Sequence, residues 1–168
     1  MSGFQFDVLS AHINASGQLV NGRSRLKALI QIGTASAGTV NIWDTTTAPT
    51  SVTYGRSGTT VTITQSAHGF TTGQQLGFTF AAGTGGTATN GNYVITVTGA
   101  NTYTITDINS GSITAGAAAT QGTRWMMSLD TNGTSDVVPL LIPGDGIVAR
   151  NGIYGQLSNQ TGLTIFYG

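Results

Sequence analysis

Apolar and polar residues alternate with a period of two along much of this chain. The alternation is broken repeatedly by Gly, Asn and Ser pairs, which predicts short strands separated by tight turns. Phe4, Phe6 and Val8 alternate with Gln5 and Asp7, and the pattern continues less cleanly to Ile13, so a first strand is expected there. Ser16-Gly17 and Asn21-Gly22 are turn signals on either side of Gln18-Leu19-Val20. Over 23–32, Leu26, Ala28, Ile30 and Ile32 share one face, and Arg25, Lys27, Leu29 and Gln31 share the other. This predicts a strand that buries the first set and shows a basic edge on the second. Residues 33–38 read as a turn and 39–44 as the returning strand of a hairpin. Further strands are expected at 60–65, 75–80, 91–98 and 102–108. Gly99-Ala100-Asn101 joins the last two as a hairpin. Residues 83–92 read as a glycine-rich loop and 110–121 as a small-residue linker. Strands at 124–129 and 137–142 follow, and the alternation Leu163-Thr164-Ile165-Phe166-Tyr167 is expected to end the chain inside a sheet.

Composition sharpens this picture. Only 7% of the 168 residues are charged, Gly accounts for 25, every acidic residue is Asp, and Lys27 is the one Lys. The Glu, Lys, Ala and Leu mixture of exposed helices is missing. Between Ser51 and Gln121 the charge thins to Arg56 and Asp107, while Thr and Gly dominate. That shift predicts a split architecture. Residues 1–50 and 122–168 are expected to form an antiparallel β-sandwich, jelly-roll-like or Ig-like, and residues 51–121 a small β module inserted at a surface turn. Such an insertion is tolerated because loop-closure entropy grows only logarithmically.

The candidate chemistry is thin. The chain has no Cys, which excludes disulfides, a thiolate nucleophile and a thiolate-bound metal. Net charge is +0, which argues against a nucleic-acid or anionic-membrane footprint. No basic leader precedes an apolar run at the N-terminus, and no window is apolar enough to span a bilayer, so the expectation is a soluble protein made in a cytoplasm. His12 and His68 are the two histidines. His68, before Gly69-Phe70, reads as a turn imidazole bonded to nearby backbone. Asp130-Thr131-Asn132-Gly133-Thr134-Ser135-Asp136 is oxygen-rich but lacks the acidic residues that would complete a calcium loop, so self-bonded Asx turns are expected. Asp145, in Pro143-Gly144-Asp145-Gly146, reads as turn chemistry. Gly83-Thr84-Gly85-Gly86-Thr87 lacks the ending of a phosphate loop. No catalytic residue, cofactor site or metal site is assigned, and an enzyme is not expected. The residues expected to contact a partner are Phe4 and Phe6 on the first strand, with Arg23, Arg25 and Lys27 on a strand edge.

Two resemblances bear on function. Thr60-Val61-Thr62-Ile63-Thr64, His68-Gly69-Phe70, Asn90 to Val97 and Asn101 to Ile105 together resemble a β module of tailed-bacteriophage structural proteins. Several outer motifs are similar to small virion proteins of tailed phages, often of marine or cyanobacterial hosts. These motifs are Arg25 to Leu29, Gly38-Thr39-Val40, Ile142 to Ile147, Asn151-Gly152-Ile153-Tyr154 and Ile165 to Gly168. The resemblance carries over no active-site residue. It implies a virion component that is commonly oligomeric. The leading expectation is a trimeric capsid decoration or cement protein that binds the major capsid protein in the assembled head. A tail, collar or fibre-base component is the alternative. A host-glycan-binding module is the further alternative, for which Trp43, Tyr54, Trp125 and Tyr154 are the available aromatics.

Overall fold

The computed structural model describes residues 8–168, and Phe4 and Phe6 lie outside the described residues. The described chain is all-β. In order, its strands are β1 (Leu9–Ile13), β2 (Gly17–Asn21), β3 (Ser24–Gly33), β4 (Ala37–Asp44), β5 (Thr50–Thr64), β6 (Gln75–Phe80), β7 (Gly91–Val94), β8 (Thr96–Gly99), β9 (Thr102–Gly122), β10 (Trp125–Asn132), β11 (Val137–Leu141), β12 (Ile147–Ala149), β13 (Gly152–Ser158) and β14 (Gln160–Tyr167). The chain divides into two compact units, Met1–Ala48 with Met126–Gly168, and Pro49–Trp125. The sequence reading put the corresponding boundaries at 51 and 121.

The first unit contains two antiparallel sheets. One has the order β1-β14-β3-β11, with β12 also paired to β3; the other has the order β10-β4-β13-β2. Their inner faces share one apolar core, to which β3 and β14 give Leu26, Leu29, Leu163 and Ile165, and β2, β4 and β13 give Val20, Val40, Ile42 and Ile153. Burying each such side chain contributes about 1.5–3 kcal/mol.

Two sequence expectations fail here, both for non-local reasons. β3 and β4 are not a hairpin, because they belong to different sheets and the turn at 34–36 carries the chain across the core. The buried face of β3 also changes parity along the strand. Leu26 is buried, but beyond it Leu29 and Gln31 are buried while Ala28, Ile30 and Ile32 are half-exposed. The cause is a β-bulge: Tyr167 opposes Leu26 and Phe166 opposes Ala28, so Lys27 is an extra residue. One inserted residue moves every later side chain to the opposite face.

The inserted unit is a sheet of order β5-β9-β6-β7, with β8 paired to β9. The expected strand at 91–98 is interrupted at Ile95, so β7 pairs with β6 and β8 with β9. The stretch 110–121, expected as a linker, is the second half of β9. It pairs with the first half of β5 from Thr50↔Gln121 to Arg56↔Ile113. Its small residues suit that role because large ones lie opposite or beneath them. Tyr54 opposes Ala117, and Ile113 and Ala119 join the core of Val61, Ile63, Phe78 and Tyr103. His68 fastens the turn after β5. Its Nδ1 accepts from the Phe70 N–H at 3.0 Å, its Nε2 lies 3.0 Å from the Gly99 carbonyl, and its ring packs on Phe70 and edge-on against Tyr103.

The two charged residues of the 51–121 stretch find each other. Arg56 Nη1 donates to Asp107 Oδ2 at 2.7 Å, with the two side chains 6% and 0% exposed. Burial pushes the Asp107 carboxyl up. Hydrogen bonds from Thr89, Arg56 and the Asn109 N–H outweigh it and hold the group below the ordinary carboxylate value.

Candidate interaction face

The parity change in β3 decides what the first unit shows to its surroundings. On the outward face of its β1-β14-β3-β11 sheet, the registers place residues in rows. Ser10, Phe166, Ala28 and Leu141 form one row, and His12, Thr164, Ile30 and Pro139 the next; Gly162, Ile32 and Val137 follow. The face grades from polar to apolar across the sheet. On the β1 side, His12 Nδ1 lies 2.9 Å from Thr164 Oγ1, and the ring lies over Gly162. On the β11 side every side chain is apolar, with Val137 61% and Leu141 78% exposed. Contiguous apolar surface of this kind marks interaction sites on soluble domains.

β11 is an edge strand, and its chemistry limits how a partner can approach. The Ile142 N–H donates to the Lys27 carbonyl at 2.9 Å, and the Asp136 carbonyl accepts from the Gly33 N–H at 2.8 Å. The even-numbered residues of β11 therefore turn their backbone groups toward β3, and the odd-numbered ones turn theirs to the open side. Pro139 occupies an odd position and has no N–H to offer. The edge is thus guarded against strand addition while the face beside it stays open.

The basic residues are arranged differently from the sequence expectation. β3 is an interior strand, with β14 on one side and β11 and β12 on the other, so the cations do not line a strand edge. Arg23 lies exposed in the turn before β3, Arg25 is half-buried opposite Val148, and Lys27 is the bulge residue. The sequence reading missed Ile30, Ile32, Val137 and Leu141 as a surface group. The available signal was the run Val137-Val138-Pro139-Leu140-Leu141, which is apolar at both parities and so calls for cover on both faces.

The other candidates have structural surroundings. Trp43 and Tyr54 are buried, which removes them as surface platforms for a sugar. In the oxygen-rich turn, the Thr134 hydroxyl donates to Asp136 Oδ2 and lies 3.2 Å from Asn132 Oδ1, and Asp130 accepts from Thr39 Oγ1 at 2.8 Å. Among the described residues no group of three or more His, Cys, Asp or Glu side chains could hold a metal ion, and no helix is long and apolar enough to cross a membrane. Comparison of the chain with protein-family models, with curated proteins and with solved structures found no match in any of the three.

Proposed function

We propose that this chain is a structural protein of a tailed-phage virion, a head decoration protein that binds the assembled capsid shell as a homo-oligomer. The observation that carries the reading is the apolar outward face of β3 and β11 beside a proline-guarded edge. A protein that works by adhering to a preformed surface needs such a face and no chemistry beyond it. Low overall charge fits dense packing of copies on a shell. The mechanism is mass action: a protein that binds the closed shell and not its disassembled parts stabilises the shell by RT ln(1 + [L]/Kd).

Quantitative mass spectrometry of purified particles tests this. Copies comparable in number to the major capsid protein are expected; a few to a few dozen would move the protein to the tail or collar, and absence would end the virion reading. A variant isolates the face. Val137→Asp changes an exposed position, so the free protein should keep its stability to within about 0.5 kcal/mol. Its incorporation into particles should fall sharply. Undiminished incorporation would remove the face from the mechanism.

A further inference from the structure

The first unit has an opening at one end of its core. Between the end of its β1-β14-β3-β11 sheet and strand β2 lies a cleft of ≈ 490 Å³, walled by Leu9, Leu19, Val20 and Tyr167, with Arg23 at its rim and Ser24 in its wall. That volume lies in the range of pockets that take up ligands, roughly 300–1,000 Å³. Two donors here lack acceptors. Ser24 is 8% exposed, and its hydroxyl has no hydrogen-bond partner among the described residues. Arg23 is exposed and makes no hydrogen bond or ion pair among the described residues. A buried hydroxyl left unpaired costs about 1–3 kcal/mol, so the cleft suits an occupant that brings an apolar group together with oxygen acceptors.

The same unit presents such a group on another part of its surface. Leu141, at the end of β11, is 78% exposed, and the chain runs from it through Pro143-Gly144-Asp145-Gly146 as an exposed turn. Asp145 is the complement to Arg23 in the charge account. Asp44 and Asp107 are buried, Asp130 accepts from Thr39, and Asp136 accepts from Thr134. Asp145 is left as the exposed carboxylate with no partner among the described residues. The apolar knob and the carboxylate are four residues apart on one short segment, which matches a cleft with apolar walls and a cation at its rim.

We infer that the cleft takes up the segment from Leu141 to Asp145 of a second copy of this chain, with Leu141 between the apolar walls, Asp145 paired with Arg23, and a backbone carbonyl accepting from Ser24. The contact joins two different patches of the same unit, so it gives a two-fold pair where it is reciprocal, a ring where its rotation closes, and an open filament where it does not. The inference rests on reading the β11 surface as an interface. It assigns the Leu141 end of that surface to self-association and leaves Val137, Ile30 and Ile32 to the shell.

Analytical ultracentrifugation and native mass spectrometry of the purified full chain test it. The wild type is expected to form a discrete oligomer. Leu141→Asp, Arg23→Asp and Asp145→Arg should each weaken association roughly tenfold or more. Melting temperatures extrapolated to the monomer should be unchanged, because all three sites are exposed. The double reversal Arg23→Asp with Asp145→Arg should restore association to within about threefold of wild type, a rescue that loss of folding could not produce. A wild type that stays monomeric overturns the inference, as does association indifferent to the single variants or a double reversal no better than the singles. A monomeric chain found at high copy number on particles would overturn the self-contact and the homo-oligomer, and leave the shell-binding part of the decoration reading standing.

Discussion

Replacing Arg56 with Met is expected to destabilise the inserted unit by about 3–5 kcal/mol, the range for stripping one partner from a buried ion pair. The Asp107 carboxylate would remain with N–H donors from Thr89 and Asn109, at 3.3 and 3.2 Å, but with no positive charge in its enclosure. Arg56 also donates to the Thr87 carbonyl at 3.3 Å, so the same change frees the loop before β7. The neutral pair Arg56→Met with Asp107→Leu should recover most of the loss, because two apolar groups need no desolvated charge. Hydrogen exchange read along the chain is the suitable measurement, because the two units have separate cores. Protection should fall throughout Pro49–Trp125 and far less in β3, β13 and β14. Some loss there is also expected, because an unfolded insertion must be closed as a long loop at an entropic cost of about 4 kcal/mol, whereas the folded one holds its ends together through Thr50↔Gln121. Uniform protection in the variant would show that the pair is dispensable.

The pair also sets a pH dependence. Burial opposes ionisation of Asp107, but its hydrogen bonds prevail and the folded-state pKa lies below the ordinary 3.8. A carboxyl with a depressed folded pKa contributes stability above its unfolded value and loses that contribution as pH falls through the folded one. The inserted unit should therefore weaken below pH 3.8, and the Arg56→Met, Asp107→Leu double variant should show a flatter curve there. Urea titrations at stepped acidic pH would reveal a slope common to both proteins if Asp107 were not responsible.

The second large effect belongs to the sandwich. Asp44 is 1% exposed at the end of β4, and its carboxylate caps the turn between β12 and β13. Oδ1 accepts from the backbone N–H groups of Arg150, Asn151 and Gly152 at 2.9, 2.7 and 3.4 Å, and Oδ2 accepts from Arg150 at 3.0 Å. Bonds from backbone N–H groups to a carboxylate are roughly twice as strong as neutral ones. Asp44→Ala would strand three donors at the end of a packed core, so a loss of about 3–5 kcal/mol is expected in Met1–Ala48 with Met126–Gly168. The turn is demanding in its own right, since Gly152 has φ of 159° and carries the chain directly into β13 beside Ile153. Thermal unfolding with hydrogen exchange on 150–158 measures this. A melting temperature near that of wild type would mean that water replaces the carboxylate at little cost.

Much of the fold could be read from local pattern. Period-two alternation located β6 and the paired β8 and β9, and the Gly and Asn punctuation located the turns between them, because a strand's face pattern and a turn's backbone demands are local properties. The drop in charge between Ser51 and Gln121 pointed to a separate unit, and the two charges left there turned out to be a single buried pair. The candidate face was not legible, because it depends on one bulge. Without the extra Lys27, Ile30 and Ile32 belong with Leu26 in the core, and nothing about Lys27 marks it as the inserted residue. The stretch 110–121 was misread for a related reason. Its Ala and Gly residues have low strand preference of their own and are held extended by pairing with β5.

What the sequence by itself determined is the all-β class and much of the spacing of strands and turns. Each follows from composition and short-range periodicity. What only the tertiary structure decided is sheet membership, register and facing. β3 and β4 are consecutive yet separated across a core, and Leu9 and Tyr167 come together from opposite ends of the chain. Leu141 is an exposed knob because of where β11 pairs, at the open edge beyond β3. Such outcomes depend on which strands share hydrogen bonds over long sequence separations, and a one-residue shift in that pairing exchanges core for surface.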